Sequence, residues 1–500
     1  MGLSLVHSRA RAGVRAPAVQ VEVHVGGGLP SMSIVGLPQA AVREAKDRVR
    51  AAIHCAQFEF PNGRITVNLA PADLPKSGGR FDLPIALGVL AASGQLPNEA
   101  LRDIECIGEL GLTGELREVD GTLPAAVAAG AAQRRLIVPL GNGAEAALVE
   151  SAEVWTARSL LEVCGALAGT KVLPRAARID MRAATVSDLA DVRGQAHARR
   201  ALEIAAAGQH HLLFVGTPGC GKTLLASRLP GLLPQASVAE ALESASVASV
   251  GGRGFDAATW RTRPFRAPHH GASAAALVGG GSDPRPGEVS LAHNGVLFLD
   301  ELPEWGRQSL QMLREPLESG VVTIARAAHR CEYPARFQLV AAMNPCPCGW
   351  AGDPSGRCKC TEDVIQRYRA RISGPLMDRI DLHVEVPRLP PGALHDDTAR
   401  GECTDVVRRR VVAARERQVA RAGRSNGHLD AALTSATCRL ERDDQRLLEH
   451  AIDTLHLSAR SMHRILRVAR TIADLAGSDR IETLHLTEAI GFRRLDRGLA

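Results

Sequence analysis

Two short stretches carry groups suited to breaking a phosphoanhydride. Gly216-Thr217-Pro218-Gly219-Cys220-Gly221-Lys222-Thr223 fits the spacing G-x-x-x-x-G-K-[ST]. Its glycines let backbone N–H groups turn inward around phosphate oxygens. Lys222 is placed to reach the β- and γ-phosphates, and the Thr223 hydroxyl to ligate Mg2+. Downstream, the apolar run Val296-Leu297-Phe298-Leu299 ends in Asp300-Glu301. Asp300 suits a water-mediated hold on Mg2+, and Glu301 suits the polarisation of an attacking water. Alone, two acids after a strand are a solvated strand end; with the glycine loop upstream they read as its chemical partner. A third apolar run, Leu339 to Ala342, leads to Asn344, whose amide could orient that water or sense the γ-phosphate. Arg379, in Gly374-Pro375-Leu376-Met377-Asp378-Arg379-Ile380-Asp381, could stabilise transition-state charge. Spacing alone favours a salt bridge from Arg379 to Asp378 or Asp381.

Cysteines supply a second constellation. Eleven are present, and Cys346-x-Cys348 and Cys358-x-Cys360 enclose a loop holding Gly349, Gly352 and Gly356. Four thiolates at the ends of a short loop can form a tetrahedral structural zinc site, although ribbons usually use C-x-x-C pairs. Free buried thiols are the alternative.

These groups need a scaffold. A short strand from His211 to Val215 precedes the glycine loop and a helix, Leu224 to Leu229, follows it, so a helix N-terminus adds partial positive charge at the phosphates. With strands at Gly295 to Leu299 and Phe337 to Ala342, the alternation from about Val186 to Pro390 predicts a parallel-sheet α/β unit, ended by Pro387 to Pro391. Before it, Val19, Val21, Val23 and Val25 alternate with polar residues as in a strand. Gly26 to Gly28 make a turn, Gln39 to Cys55 has helical spacing, Arg64 to Leu69 is a strand, and Phe81 to Ala92 a buried helix. Lys171 to Thr185, with Pro174, reads as a linker. From about Thr398 the pattern is helical: Val406 to Ala422, Arg439 to Leu455, Ala459 to Leu475 and Thr483 to Arg493.

Bulk composition agrees with a soluble chain of several domains. Aromatic residues are only 3%, so the cores must be aliphatic. No apolar run is long enough for a membrane span and no secretory segment is evident, which makes the cytoplasm the expected location. A net charge of +6 permits nucleic-acid binding without demanding it. Of 60 basic residues only five are lysine, and two of those, Lys76 and Lys222, fall inside motifs.

Together these pieces resemble the AAA+ superfamily, and within it the magnesium-chelatase-like ComM/YifB family. The specific stretches are Pro264 to His270, Gly287 to Gly295, Ala342 to Gly349 and Leu457 to Leu466. The resemblance covers nearly the whole chain. It implies a Lon-protease-like α/β domain over 1–170, an AAA+ P-loop domain over 186–392 and a helical lid over 398–496. It also implies that Val192, Gly194 and Gln195 lie beside the adenine, that Asn344 is a γ-phosphate sensor, and that Arg460 is the lid's sensor arginine. Arg379 becomes a finger reaching a neighbouring subunit's ATP, which requires a ring, usually a hexamer. Relatives of this type resemble DNA helicases that drive branch migration in recombination and transformation. Two insertions typical of the branch are visible, from about Glu240 to Gly281 and as a hairpin from Val321 to Phe337. Arg326, His329 and Arg330 near the hairpin tip would grip DNA phosphates without reading bases, and a solvated turn is the plainer alternative. Branched or single-stranded DNA, further copies of the chain and recombination proteins are the expected partners, with no membrane.

The same resemblance sets Arg80 where a Lon-type serine nucleophile should stand and Pro124 where its lysine should stand; Ser77 is shifted by three residues. Neither Arg nor Pro can do that work, so no peptidase activity is expected. The rivals to a DNA motor are a magnesium-chelatase subunit and a protein-remodelling ATPase that needs no nucleic acid.

Overall fold

The computed structural model describes residues 2–182, 187–252, 256–281, 284–326, 329–389, 401–455 and 457–493. Alternating apolar residues build the first sheet. Seven strands, β1 (Gly2–Arg9), β2 (Ala18–Gly26), β3 (Ser31–Val35), β4 (Arg64–Ala70), β5 (Ile104–Cys106), β6 (Arg135–Pro139) and β7 (Val154–Ala157), lie in the order β3-β4-β2-β1-β5-β6-β7. In β2, Val19, Val21 and Val23 are fully buried while Gln20 and His24 are exposed, as the period of two requires. Helix Asp82–Ala92 has no solvated face: all its residues are buried, and it packs across β1 and β2. The expected helix from Gln39 to Cys55 is interrupted. It runs as Ala40–Arg43 and Ala45–Cys55, because Glu44 closes a tighter turn in which Asp47 N donates to Glu44 O at 3.3 Å. Residues 171–182 are irregular, as expected of a linker; its last part lies outside the described residues.

The second sheet is parallel throughout. Its strands are β8 (Leu212–Val215), β9 (Phe265–Arg266), β10 (Val296–Leu299), β11 (Gln338–Met343) and β12 (Leu382–Glu385), in the order β9-β10-β11-β8-β12. Buried on both faces, β8 and β10 are continuous apolar runs, and β11 is one after Gln338, whose amide donates to Ala205 O and His210 O. One face packs on helices Ala196–Gly208 and Lys222–Leu232 and on the C-terminal helices, the other on the segments between β9 and β11. The C-terminal region is helical, with Thr404–Ala422, Arg442–Leu455, Ala459–Leu475 and Thr483–Gly491 as expected within a few residues. A short helix, Ala431–Thr437, escaped notice; Asp430 caps it by accepting from Leu433 N.

The insertion expected from about Glu240 opens within a helix, Val238–Gly251. Ser237 and Glu240 close a reciprocal capping box at its start, a signal present in the sequence as S-x-x-E. This helix reaches the first unit: Gly121 N donates to Ser249 O at 3.0 Å, and Arg285 pairs with Asp120 at 3.3 Å. The hairpin forms from Val321–Arg326 and His329–Pro334. Val14 of the first unit packs in the same apolar cluster as Ile324 and Tyr333 at its base. No helix among the described residues is long and apolar enough to cross a membrane.

Candidate active site

The strand order decides which residues can meet. β10, β11 and β8 are neighbours and parallel, so the residues after their carboxyl ends line one edge of the sheet. Asp300 follows β10, Asn344 follows β11, and Gly216 opens the loop after β8.

The loop leads into helix Lys222–Leu232 through Gly221, whose φ of +95° only glycine adopts readily. Lys222 is buried, and its ammonium donates to Gly216 O at 2.7 Å, Thr217 O at 3.0 Å and Asn344 Oδ1 at 3.1 Å. Thr223 Oγ1 donates to Asp300 Oδ2 at 2.8 Å. Asp300 Oδ1 accepts from Glu301 N at 2.8 Å, and Trp305 Nε1 donates to Asp300 O at 3.0 Å. Thr217 Oγ1 is buried with no hydrogen-bond partner among the described residues, and a Cβ at Gly219 or Gly221 would meet open space. A loop with an ammonium, inward-turned backbone and free volume fits a polyphosphate. The Thr223–Asp300 pair is the donor set that would hold Mg2+ beside it.

Gly194 and Gln195 both have left-handed backbone, and Gln195 Nε2 donates to Pro387 O at 2.7 Å and contacts Cys220 O at 3.5 Å. Val192 is buried one residue from Asp191, which pairs with Arg228 of the loop's helix at 3.1 Å. The 191–195 segment therefore lies against the glycine loop. Glu301 also has left-handed backbone, φ +50°, and its carboxylate lies 2.9 Å from His270 Nδ1. Sequence reasoning missed His270, although it ends the Pro264 to His270 stretch.

Arg379 does not pair with Asp378 or Asp381, as spacing suggested. Its buried guanidinium meets Glu318 and the Pro375 carbonyl, and burial lowers its pKa. Arg460 lies near enough to lower it further, and its own side chain is exposed. Neither arginine bonds to Lys222, Asp300 or Glu301 among the described residues. Asp381 is taken by other partners: Arg464 Nη1 at 2.6 Å, His211 N at 3.0 Å and His210 Nδ1 at 3.5 Å. Burial would raise this carboxyl, but Arg464 and His210 outweigh it and hold it well below the usual range. Arg464, which the sequence did not single out, also donates to Arg379 O at 2.8 Å, so one side chain of helix Ala459–Leu475 fixes the Arg379 segment.

The four cysteines converge, their sulfurs all within 4.8 Å of one another. Cys346 Sγ is 3.3 Å from Cys348 Sγ and 3.8 Å from Cys358 Sγ. The Trp350 backbone N–H and the neighbouring thiols lower Cys348, while the thiols around Cys358 and Cys360 raise those two. This donor set is compatible with tetrahedral zinc. The cysteine loop packs on the glycine loop, because a Cβ at Gly349 would sit 2.7 Å from the Pro218 ring.

The hairpin is present, but its tip, 327–328, and the side chains of Arg326 and His329 lie outside the described residues. Arg330 is exposed, with a 3.4 Å contact to Glu332. In the first unit Arg80 is buried, donates to Arg9 O and Asp120 O, and is lowered to about 10 by burial. Lys76 turns inward to the Pro71 carbonyl, and Pro124 sits in the first turn of helix Thr122–Ala131.

Comparison with known proteins places three matches along the chain. "Magnesium chelatase, subunit ChlI" matches residues 188–394, "Subunit ChlI of Mg-chelatase" residues 21–142, and "Magnesium chelatase, subunit ChlI C-terminal" residues 401–493. The chain is 52% identical to the competence protein ComM of Haemophilus influenzae over 99% of this chain and 98% of that protein. It is 50% identical to the uncharacterised protein YifB of Escherichia coli, with the same coverage. A shorter stretch, 19% of this chain and 10% of the relative, is 30% identical to the DNA replication licensing factor Mcm6 of Drosophila melanogaster.

Proposed function

Because the chain belongs to the magnesium-chelatase-like ComM/YifB family, we propose that it is an AAA+ ATPase working as a DNA motor: a ring helicase, a hexamer, that drives branch migration in homologous recombination and natural transformation. One observation carries the ATPase half. Lys222–Asn344 and Thr223–Asp300 draw the ends of three adjacent strands around one glycine loop. In this reading Gly216 to Gly221 wrap the phosphates of ATP, and Val192, Gly194 and Gln195 flank its base. Lys222 balances charge on the β- and γ-phosphates. Glu301 polarises a water for attack on the γ-phosphorus, and Asn344 orients it. Thr223 and Asp300 would hold Mg2+, which would supply neutralisation of phosphate charge. Arg379 reaches the ATP of the next subunit and Arg460 reads nucleotide state from the lid.

The DNA half is supported by what related proteins are called, a competence protein and a replication licensing factor. In this reading the hairpin's basic residues Arg326, His329 and Arg330 would track phosphates. The domains are then an inactive Lon-protease-like unit over 1–170, the ATPase over 186–392 and the lid over 398–496, in a cytoplasmic protein that meets recombination proteins on DNA. The inward-turned Lys76 and buried Arg80 support a bracing rather than peptidase role for the first unit.

The experiment is ATP-dependent branch migration on a synthetic three- or four-stranded junction, comparing the intact chain with Lys222→Ala. Movement by the intact chain alone is expected. Hydrolysis without movement would move a protein-remodelling or chelatase reading ahead.

A further inference from the structure

One side chain of the first unit ties together two of its turns, and both turns rest on the base of the hairpin. Arg80 lies in a short helical turn, Gly79–Phe81, and is only 4% exposed. Its Nη1 donates to Arg9 O at 3.3 Å and its Nη2 donates to Asp120 O. Arg9 ends β1 and leads into a tight turn, in which Ala12 and Arg15 exchange backbone hydrogen bonds at 3.0 Å. That turn meets one hairpin strand. A Cβ at Gly13, whose φ is +61°, would be 2.8 Å from Glu332 O, and Val14 packs with Ile324 and Tyr333. The Asp120 turn approaches from the other side. Asp120 Oδ2 pairs with Arg285 Nη2 at 3.3 Å, and Arg11 Nη1 stands 3.8 Å from the same oxygen. Arg285 and Pro286 pair with Gly280 and Gly279, and a Cβ at Gly279 would be 2.8 Å from Ile324 Cδ1. Tyr333 Oη donates to Pro284 O at 2.7 Å, next to Arg285.

We propose that Arg80 is a positioning residue that locks the turn 10–16 and the Asp120 turn into one clamp on the hairpin base, so that DNA engaging the hairpin stimulates hydrolysis instead of displacing the hairpin. This rests on the reading of the hairpin as the element that meets DNA. A guanidinium is a planar fork with donors in fixed directions, so it holds two carbonyls from separate segments at one spacing. Burial keeps water from replacing either bond, which makes the loss of one costly. A hairpin held at its base passes a pull on its tip into the sheet it packs on; a loose one bends and absorbs it. The clamp stands apart from the nucleotide loop. Among the described residues Arg80, Asp120 and Arg285 make no hydrogen bond to Lys222, Asp300 or Glu301. Hydrolysis without DNA should therefore not depend on it.

The test applies two measurements to the full chain: hydrogen–deuterium exchange in the hairpin strands, and steady-state ATP hydrolysis titrated with a single-stranded oligonucleotide. The variants are Arg80→Lys, Asp120→Asn, Arg285→Gln and the double variant Asp120→Asn/Arg285→Gln. Lysine keeps the charge but replaces the fork with one ammonium. Arg80→Lys should speed exchange in Val321–Arg326 and His329–Pro334 about tenfold, the size of one hydrogen bond to a charged group. The oligonucleotide concentration for half-maximal stimulation should rise about tenfold, with the DNA-free kcat and the KM for ATP unchanged. The Asp120–Arg285 pair is half exposed, so each of its single variants should show about a threefold effect. The double variant should show no more than either single one, because both remove the same contact. These surface variants keep the test open if Arg80→Lys folds poorly. Hairpin exchange at the wild-type rate in all of them overturns the clamp. So does exchange that quickens equally in the hairpin and in helix Lys222–Leu232, which would make Arg80 a general stabiliser. A wild-type chain indifferent to DNA removes the DNA reading, while the exchange rates still decide for or against the clamp.

Discussion

Lys222 Nζ donates to Asn344 Oδ1 at 3.1 Å across the ends of two neighbouring strands. The parallel register that pairs Val215 with Met343 makes this contact possible, since Asn344 directly follows one strand and the loop leading to Lys222 begins at the end of the other. The bond shares the ammonium between the loop carbonyls and the Asn344 amide. Asn344→Ala leaves Lys222 with Gly216 O and Thr217 O, so nucleotide should still bind. Loss of one oriented polar group at the reacting centre should lower kcat by about a hundredfold. Parallel measurements of ATP turnover and of fluorescent-nucleotide binding would separate the two. A weakened affinity with intact kcat would assign Asn344 to binding alone.

Acid should loosen the second sheet and its packing against the C-terminal helical region. His211 Nδ1 accepts the Leu339 N–H at 3.0 Å, which a doubly protonated imidazole cannot do. Burial lowers His211 to about 3 and His428 to about 4, against 6.5 for the free side chain. Between the folded and unfolded values the unfolded chain binds more protons. Stability is therefore complete above about pH 7 and falls as pH drops toward 4. From pH 7 to 5 each histidine should cost about 2 kcal/mol. Urea unfolding followed by circular dichroism at those two pH values measures the drop, and His428→Gln should make it smaller by about 2 kcal/mol. An unfolding free energy equal at both pH values would refute the assignment.

The parts visible in the sequence were those with local rules. The glycine loop, the apolar strands ending in Asp300 and Asn344, and the alternating valines of β2 need no knowledge of distant neighbours. The capping box at Ser237, S-x-x-E in sequence, is equally local. What could not be read were pairings set by strand order. Arg379 has two acids beside it in sequence, yet it meets Glu318, brought in from a helix 61 residues away. His270 and Glu301 become neighbours only once β9 is known to lie against β10.

The cysteine cluster should bind one zinc per chain, measurable by inductively coupled plasma mass spectrometry on purified protein. Cys358→Ser leaves three sulfurs and should lower metal content and the thermal midpoint together, because metal binding contributes folding free energy. Chelation of the wild type should lower the midpoint in the same direction. Since Gly349 packs on Pro218, the apparent KM for ATP should rise in both cases. Protein that purifies without metal and melts unchanged as Cys358→Ser would leave the thiols as packing only.

Arg379 offers the most demanding prediction, because within one chain its guanidinium is occupied by Glu318 and so must change partners to act on another subunit's nucleotide. Arg379→Ala and Lys222→Ala should each abolish hydrolysis, for different reasons: one lacks the group donated across the interface, the other the group that receives phosphate. Mixing the two inactive proteins before assembly should restore activity. A site is complete where the Lys222→Ala subunit presents its intact Arg379 to the intact Lys222 of an Arg379→Ala neighbour. In an equal mixture about a quarter of head-to-tail interfaces have that arrangement, so recovery to about a quarter of the wild-type rate is expected if sites act independently. Glu318→Ala should leave the guanidinium more available and raise turnover in the assembled ring. No recovery on mixing, with mixed rings verified by native mass spectrometry, would place the contribution of Arg379 inside its own subunit, where the Glu318 pair and the Arg464 bond to its carbonyl give it a structural role instead.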